Sequence, residues 1–151
     1  GVCQGTGEPG NMDYNIGLPT NIAKQKLQLK NGEEVLASNN VYWGEEGPIG
    51  QSFLQIPMEL ITGSGIDGKE PDEEQLLHFM DSMIYQKAVK AHMTIQVVAA
   101  DEQVISYMNI PEGTVLLHME QILYGPDFSP AARIKYYFIP DKYQVDCQLQ
   151  A

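Results

Sequence analysis

The stretch IPEGTVLLHMEQILYGPDFSPAARIKYYFIP, residues 110–140, predicts a β-hairpin. PEG indicates a turn, and TVLLHMEQILY is a long apolar and β-branched run that is typical of a strand. GPDFSP has the Gly, Pro and Asp of a hairpin loop, and AARIKYYFI predicts the returning strand, which Pro140 ends. Upstream of the hairpin, TIQVVA predicts another strand, and Asp101 is placed to cap a short helix.

The same order of signals occurs earlier, in LKNGEEVLASNNVYWGEEGP, residues 29–48. An offset of 81 residues aligns apolar positions and turn glycines: Leu29 with Ile110, Gly32 with Gly113, Leu36 with Leu117, Trp43 with Tyr124 and Gly44 with Gly125. With two more residues in the second loop, an offset of 83 aligns Pro57 with Pro140. The chain therefore contains a repeat, and each unit is predicted to be strand, helix, strand, strand.

The first unit is predicted to have a weak strand over 14–16, a helix capped by Thr20 or Asn21, and strands over 34–43 and 50–56. Between the units, apolar residues at helical spacing over 72–90 predict a helix. The predicted fold class is α+β, a mostly antiparallel sheet of about six strands with helices on its faces. We expect residues 1–11 to be a linker or tail and residues 12–151 to form a single domain.

Composition limits the classes of function. The chain has 151 residues, which suffices for one domain with a sizeable core. Twenty acidic residues against nine basic ones give a net charge of −11, which opposes binding of this chain to a phosphate backbone. No run of ~18 apolar residues predicts a membrane span, and GVCQGTGEPG lacks the apolar segment of a signal peptide.

Few residues are arranged as in a known reactive site. Cys3 and Cys147 lie near opposite ends of the chain. The sequence is compatible with a disulfide between them and equally with two reduced thiols. No Cys or His spacing predicts a metal site. His118 and Glu120 share one strand face as an acid/base pair or as surface residues. No nucleophile elbow or phosphate loop is present, and we expect no catalytic residue, metal or cofactor.

Alternation along the predicted long strands distinguishes the two units. In the second unit, one face carries Val115, Leu117, Met119, Gln121 and Leu123, which is mostly apolar. The equivalent face of the first unit carries Glu34, Leu36, Ser38, Asn40 and Tyr42. This polar stripe is either the lining of a cavity or a solvent-facing surface, in which case Val41 and Trp43 face the core. On the returning strand, Arg133, Lys135 and Tyr137 share a face. Its basic pair either attracts an anion or is solvated, and we expect the face to be exposed.

The order of these signals resembles the UTRA domain, the effector-binding domain of the HutC-type branch of GntR bacterial transcription regulators, which has the chorismate lyase fold. The resemblance covers roughly residues 12–147. In the second unit it rests on Thr94, Ile95, Ala100, Asp101, Met108, Gly113, Leu116, Leu117, Pro130, Asp141 and Tyr143. In the first unit it rests on Leu27, Leu29, Gly32, Val35, Gly47, Pro48, Ile49 and Pro57.

The resemblance implies a cytoplasmic small-molecule sensor that forms a homodimer and reaches DNA through a preceding winged-helix domain, which this chain lacks. Family members that bind sugar phosphates have arginines where this chain has Asn40 and Tyr42, and an acidic residue where it has Ser52. The second unit's equivalent of that acidic residue is Ala132, and a late tyrosine of the family falls near Phe138. The resemblance therefore implies a neutral pocket with aromatic walls at Asn40, Tyr42, Ser52 and Phe138.

Two alternatives have the same fold. One is a chorismate lyase-like enzyme, which would need cationic side chains for a dicarboxylate substrate, although Arg133 is the chain's single arginine. The other is a dimerisation domain whose pocket is closed and binds no ligand.

Overall fold

The computed structural model describes residues 8–64, 66 and 72–148. In chain order the elements are β1 (Glu8–Gly17), α1 (Asn21–Lys26), β2 (Val35–Gly44), β3 (Gly47–Pro57), α2 (Met58–Ile61), α3 (Glu73–Phe79) with a π-helical continuation (Met80–Tyr85), β4 (Lys90–Ala99), α4 (Glu102–Met108), β5 (Val115–Tyr124) and β6 (Pro130–Phe138). The predicted order of strand, helix, strand, strand is found in each unit, and the α+β class is confirmed.

One antiparallel sheet contains the six described strands in the order β1-β2-β3-β6-β5-β4. The two units therefore meet where β3 pairs with β6. In each unit the last strand lies at this junction and the first strand lies at an edge of the sheet. Leu36 pairs with Ile56 and its repeat partner Leu117 pairs with Phe138, so Ile56 corresponds to Phe138, an offset of 82 (138 minus 56). The offset of 83 taken from the two prolines was wrong by one residue in these strands.

The main core lies on the sheet face that α3 and its π-helical continuation cover, here called the α3 face. The α3 segment contributes Leu76, Phe79, Met80 and Ile84 to this core, and α2 contributes Ile61. They pack on side chains from both units, among them Leu36, Ile56, Met119 and Phe138. Leu77 and Val89, which also contribute to the helical spacing of apolar residues over 72–90, are about half exposed.

The opposite face, here called the α4 face, has a smaller core of Val104, Met108 and Leu116. On this face each short helix contacts the other unit. Tyr107 of α4 packs edge-on against Phe53 of β3, with ring centroids 5.9 Å apart. Lys26 of α1 forms an ion pair with Glu120 of β5. The two units are therefore joined by side-chain contacts of α1 and α4 as well as by the β3–β6 pairing.

Local signals read from the sequence have the expected roles. The Thr20 hydroxyl accepts a hydrogen bond from the backbone N–H of Ala23 at 3.2 Å, and the Asp101 carboxylate accepts one from Val104 at 3.0 Å. Both residues are N-caps, which satisfy N–H groups that a first helical turn leaves unpaired.

Two expectations concern the chain ends. β1 begins at Glu8, within the range expected to be a linker or tail, and residues 1–7 lie outside the described part. Cys147 is disulfide-bonded, and Cys3 lies outside the described residues.

The repeated turn glycines lead to a matched prediction. Gly32 and Gly113 precede the long strands with φ of +85° and +82°, where a Cβ is strained although the space around it is open. We expect Gly32→Ala and Gly113→Ala each to lower the free energy of unfolding by about 1–2 kcal/mol. Gly17→Ala is the control, because Gly17 lacks a positive φ, and it should be neutral or stabilising. Urea unfolding followed by circular dichroism measures the free energy of unfolding of all three variants. An equal loss of this free energy in all three would contradict the proposed role of the positive φ at Gly32 and Gly113.

Candidate ligand-binding site

The polar stripe of the first unit lies on the buried α3 face. Ser38 and Asn40 are each 8% exposed, and so is Ser52, which pairs with Asn40. Trp43, on the other face of the same strand, is 51% exposed. The alternative in which the stripe faces solvent and Trp43 faces the core was therefore wrong. The side-chain hydrogen-bonding groups of Ser38, Asn40 and Ser52 therefore lie beside the main core.

The structure brings the four predicted site residues together on this face. Asn40 and Ser52 are cross-strand neighbours, and the hydroxyls of Tyr42 and Ser52 are 3.2 Å apart. Gly50 pairs with both Tyr42 and Phe138, so Tyr42 and Phe138 flank a position that has no side chain. The resulting group is half polar and half aromatic.

Three tyrosines that are not among the predicted site residues complete this surface. Tyr143 stacks on Phe138 with centroids 3.8 Å apart and meets Tyr42 edge-on at 6.3 Å. Tyr136 stacks on Phe138 at 5.5 Å, and its hydroxyl hydrogen-bonds that of Tyr85. Strand alternation already put Tyr136 on the face of Phe138, whereas no sequence signal put Tyr85 and Tyr143 there.

The surface is electrically neutral. Burial raises the pKa of Tyr42, and hydrogen bonds with Ser52 and Asn40 oppose the rise. Burial also raises the pKa of Tyr85, and the hydrogen bond with Tyr136 opposes this rise. Burial raises the pKa of Tyr136 as well, and there the neighbouring tyrosines add to the rise. All three hydroxyls therefore stay protonated at neutral pH. The ion pairs found among the described residues involve none of these side chains.

A buried polar atom marks the centre of the stripe. The Asn40 side-chain oxygen Oδ1 is inaccessible to solvent and has no hydrogen-bond partner among the described residues. Its equivalent in the second unit, Gln121, is fully buried with both side-chain polar atoms likewise unpartnered. Buried acceptors are rarely left unpaired, since each costs about 1–3 kcal/mol. The Asn40 oxygen is thus able to accept a hydrogen bond from a bound molecule.

The basic residues of β6 lie on the other face, and their predicted exposure was wrong. Arg133 is 5% exposed, and its Nε donates a hydrogen bond to Glu120 Oε2 at 2.9 Å. Its Nη2 forms an ion pair with the same oxygen at 2.8 Å. Lys26 of α1 also pairs with Glu120, and Gln55 accepts a hydrogen bond from Arg133 Nη1 at 3.1 Å. Helices α1 and α4 cover this region of the sheet, which strand alternation alone does not reveal.

His118 and Glu120 share the α4 face as predicted but have separate partners. The His118 ring stacks on Tyr137 at 4.3 Å between centroids, and its Nδ1 is 2.9 Å from the backbone oxygen of Tyr136. Burial lowers the pKa of His118. These contacts describe a packed histidine, whereas Glu120 belongs to the ion-pair network.

The described residues contain no group of three or more His, Cys, Asp or Glu side chains placed to hold a metal ion. Among the described helices, none is both long and apolar enough to cross a membrane.

Comparison with known proteins gives the family. The sequence profile of the UTRA domain matches residues 15–144, and the chain belongs to this family. It is therefore a ligand-binding regulatory domain of UTRA type. No curated protein has a sequence that matches the chain significantly.

Solved structures share the fold. The ligand-binding domain of a putative GntR-family regulator from Bordetella bronchiseptica has TM-score 0.69 at 19% identity, over 98% of this chain and 96% of that one. The effector domain of PhnF from Mycobacterium smegmatis has TM-score 0.71 at 11% identity, over 99% and 89%. The possible regulator YydK from Bacillus subtilis has TM-score 0.72 at 14% identity, over 98% of this chain and 61% of that one.

The Glu120 network leads to a pH-dependent prediction. Burial acts to raise the pKa of Glu120, but the hydrogen bonds and charges of Lys26 and Arg133 outweigh it, and the net pKa is lowered. Because the pKa is lower in the folded protein, the Glu120 carboxylate stabilises the fold at pH values above its unfolded-state pKa of about 4.3. This stabilisation is lost as the pH falls through the folded-state pKa.

We expect Glu120→Gln to lower the free energy of unfolding by about 3 kcal/mol at pH 7, because the buried Arg133 loses its counter-charge. The difference from wild type should shrink below about pH 4 as the wild-type carboxylate protonates. Urea unfolding at pH 7, 5 and 3 measures it. Glu46→Gln is the control, because Glu46 is exposed and 3.8 Å from Lys142. A constant difference at all three pH values would contradict the prediction.

Proposed function

We propose that the chain is the effector-sensing part of a bacterial transcription regulator of the HutC type, and that it binds a small, neutral, polar molecule on the α3 face. The observation that carries this proposal is the buried Asn40 oxygen without a partner among the described residues, beside the Tyr42–Ser52 hydroxyl pair. A ligand with at least one hydrogen-bond donor would satisfy this oxygen. Aromatic walls at Phe138 and Tyr143 suit a planar or apolar portion of the same molecule.

Charge narrows the class of ligand. Neither Asn40, Tyr42 nor Ser52 carries charge, and Arg133 is engaged with Glu120 on the opposite face. A sugar phosphate or a dicarboxylate would need cationic groups at this position. The same placement of Arg133 argues against the lyase alternative, and we therefore propose a sensor without enzymatic activity.

Entry of the ligand requires movement of Tyr143. Its ring covers Phe138 at 3.8 Å, and it lies in the segment that follows β6 rather than in a strand or helix. We infer that the ligand displaces the ring from Phe138 and takes over part of its stacking surface. This covering also gives the closed-pocket alternative a specific basis, in which Tyr143 stays in place and the domain serves assembly alone.

Replacement of Asn40 separates these possibilities. Asn40→Leu should leave the melting temperature equal or higher, because it removes an unpaired acceptor, and should abolish stabilisation by the cognate ligand. Asn39→Leu is the matched control, because Asn39 is the adjacent residue on the opposite face and its replacement should leave the ligand shift intact. Thermal melting with a panel of neutral sugars, amides and nucleobases measures both.

Three other outcomes have distinct meanings. Equal ligand shifts in wild type and Asn40→Leu would remove Asn40 from the site. A loss of about 1–3 kcal/mol of stability without ligand would make Asn40 a structural core residue. Native mass spectrometry of purified protein that detects no bound small molecule, together with no shift across the panel, would favour the closed-pocket alternative.

We also propose that two copies associate through β4. This strand is at the edge of the sheet, and Ile95 and Val97 on its α3 face are 52% and 67% exposed. Val115, on the same face of the neighbouring strand, is 53% exposed. An edge strand with unpaired backbone groups beside exposed apolar side chains is suited to pairing with an identical strand about a twofold axis. A winged-helix domain elsewhere in the cytoplasmic regulator would make the contact with DNA.

Light scattering tests this assembly. We expect wild type to be a dimer at tens of micromolar protein and Val97→Lys to be monomeric, because the lysine charge would be buried between copies. Leu77→Lys is the control, since Leu77 is similarly exposed on α3, and this variant should remain dimeric. A monomeric wild type, or a dimeric Val97→Lys variant, would contradict the proposed interface.

A further inference from the structure

A cleft of about 450 Å³ lies on the α4 face, on the other side of the sheet from the ligand site proposed at Asn40. Its floor is a row of cross-strand neighbours on four strands, Asp13, Asn39, Phe53 and Lys135. Gln103 and Tyr107 of α4 line one side, and the turn that leads from β1 into α1 lines another. The volume falls within the roughly 300–1,000 Å³ of small-molecule sites.

The inner end of this cleft is cationic. The Lys135 ammonium lies 5.0 Å from the centre of the Phe53 ring and forms no ion pair within the described part of the chain. Arg133, its neighbour on the same strand face, has its charge matched by Glu120 at 2.8 Å. Burial, followed by the positive charge of Arg133, lowers the pKa of Lys135. The carboxylates of Asp101 and Glu120 act in the opposite direction. An anion bound beside the ammonium group would likewise favour its charged form.

Polar and aromatic groups surround the ammonium. The Gln55 amide oxygen accepts from Arg133, which leaves the Gln55 amide NH2 to donate toward the cleft that it lines. Phe53 and Tyr107 meet edge-on, so an aromatic wall stands next to the cation. The carboxylate of Asp13 is at the far end of the row, three strand spacings or about 14 Å away along the sheet. An anionic group therefore fits at the Lys135 end and not at the Asp13 end.

We propose that this cleft is a second binding site, for a small organic anion whose carboxylate or similar group pairs with Lys135 and whose planar body packs against Phe53 and Tyr107. This cleft is separate from the ligand site proposed at Asn40, although β3 supplies adjacent residues to both, Ser52 to one face and Phe53 to the other. Occupation of the cleft would hold α4 of the second unit against β3 of the first.

Phenylacetate and phenylacetamide test this site, because they share a planar body and differ in charge. In ¹⁵N-edited NMR titrations at pH 7, phenylacetate should shift the amides of Phe53, Gln103, Tyr107 and Lys135. The affinity for phenylacetamide should be lower than that for phenylacetate by about tenfold or more, since the amide cannot form the charge-assisted contact. Lys135→Met should remove the preference for the anion, and Lys135→Arg should keep it.

Two controls make the result specific to the cleft. Lys87→Met removes a lysine outside the cleft and should bind phenylacetate as wild type does. Asn40→Leu should also bind it unchanged, so that failure of the pocket on the α3 face and failure of this site are distinguishable. Equal binding of acid and amide, unchanged affinity in a folded Lys135→Met variant, or shifts centred on Asn40 and Ser52 would each overturn the proposal.

Discussion

The pairing of β3 with β6 is the contact on which the whole sheet depends, since it is the one place where the two units share backbone hydrogen bonds among the described strands. Gly50 permits this contact. A Cβ at Gly50 would lie 2.8 Å from the Phe138 ring and 3.1 Å from the Tyr137 backbone oxygen, closer than packed atoms approach. The missing side chain lets Phe138 cross the junction and join the main core, where it is fully buried. A larger residue would have to displace Phe138 or separate the strands.

Joining the units in this way gives the two sheet faces different chemistry. The α3 face carries one long helical segment across both units, so its core is continuous and its polar stripe is enclosed beside it. The α4 face is covered by two short helices, each in contact with the other unit, and the space between α4 and the β1–α1 turn is a cleft. Charge follows the same division, because the buried stripe residues Ser38 and Asn40 and the adjacent Tyr42 are neutral. Arg133, Glu120, Lys26 and Lys135 lie on the α4 face.

Much of the fold could be predicted because its signals are local. The turn glycines at 32 and 113, the caps at Thr20 and Asp101, and the alternation along β2 act over a few residues, and all have the expected roles. Strand β5 differs, because its residues from Met119 to Leu123 are buried on both faces. The four residues that the resemblance implied for the site also lie together, and strand alternation had already assigned Asn40 and Tyr42 to one face. Tyr85 and Tyr143 could not be predicted, because they reach this face from segments whose path depends on packing.

The sequence by itself determined the repeat, the strand order within each unit and which side chains share a strand face, since the strand and its turns impose these periodicities directly. Which face is buried was decided by the tertiary structure. Asn40 and Trp43 are three residues apart, and either face of β2 was compatible with the sequence until α3 covered one of them. The same holds for Arg133, which reads as an exposed cation in the sequence and is buried against Glu120, because α1 and α4 pack across the unit boundary. Local periodicity shows which side chains share a strand face, and contacts between elements distant in sequence determine which of the two faces is buried.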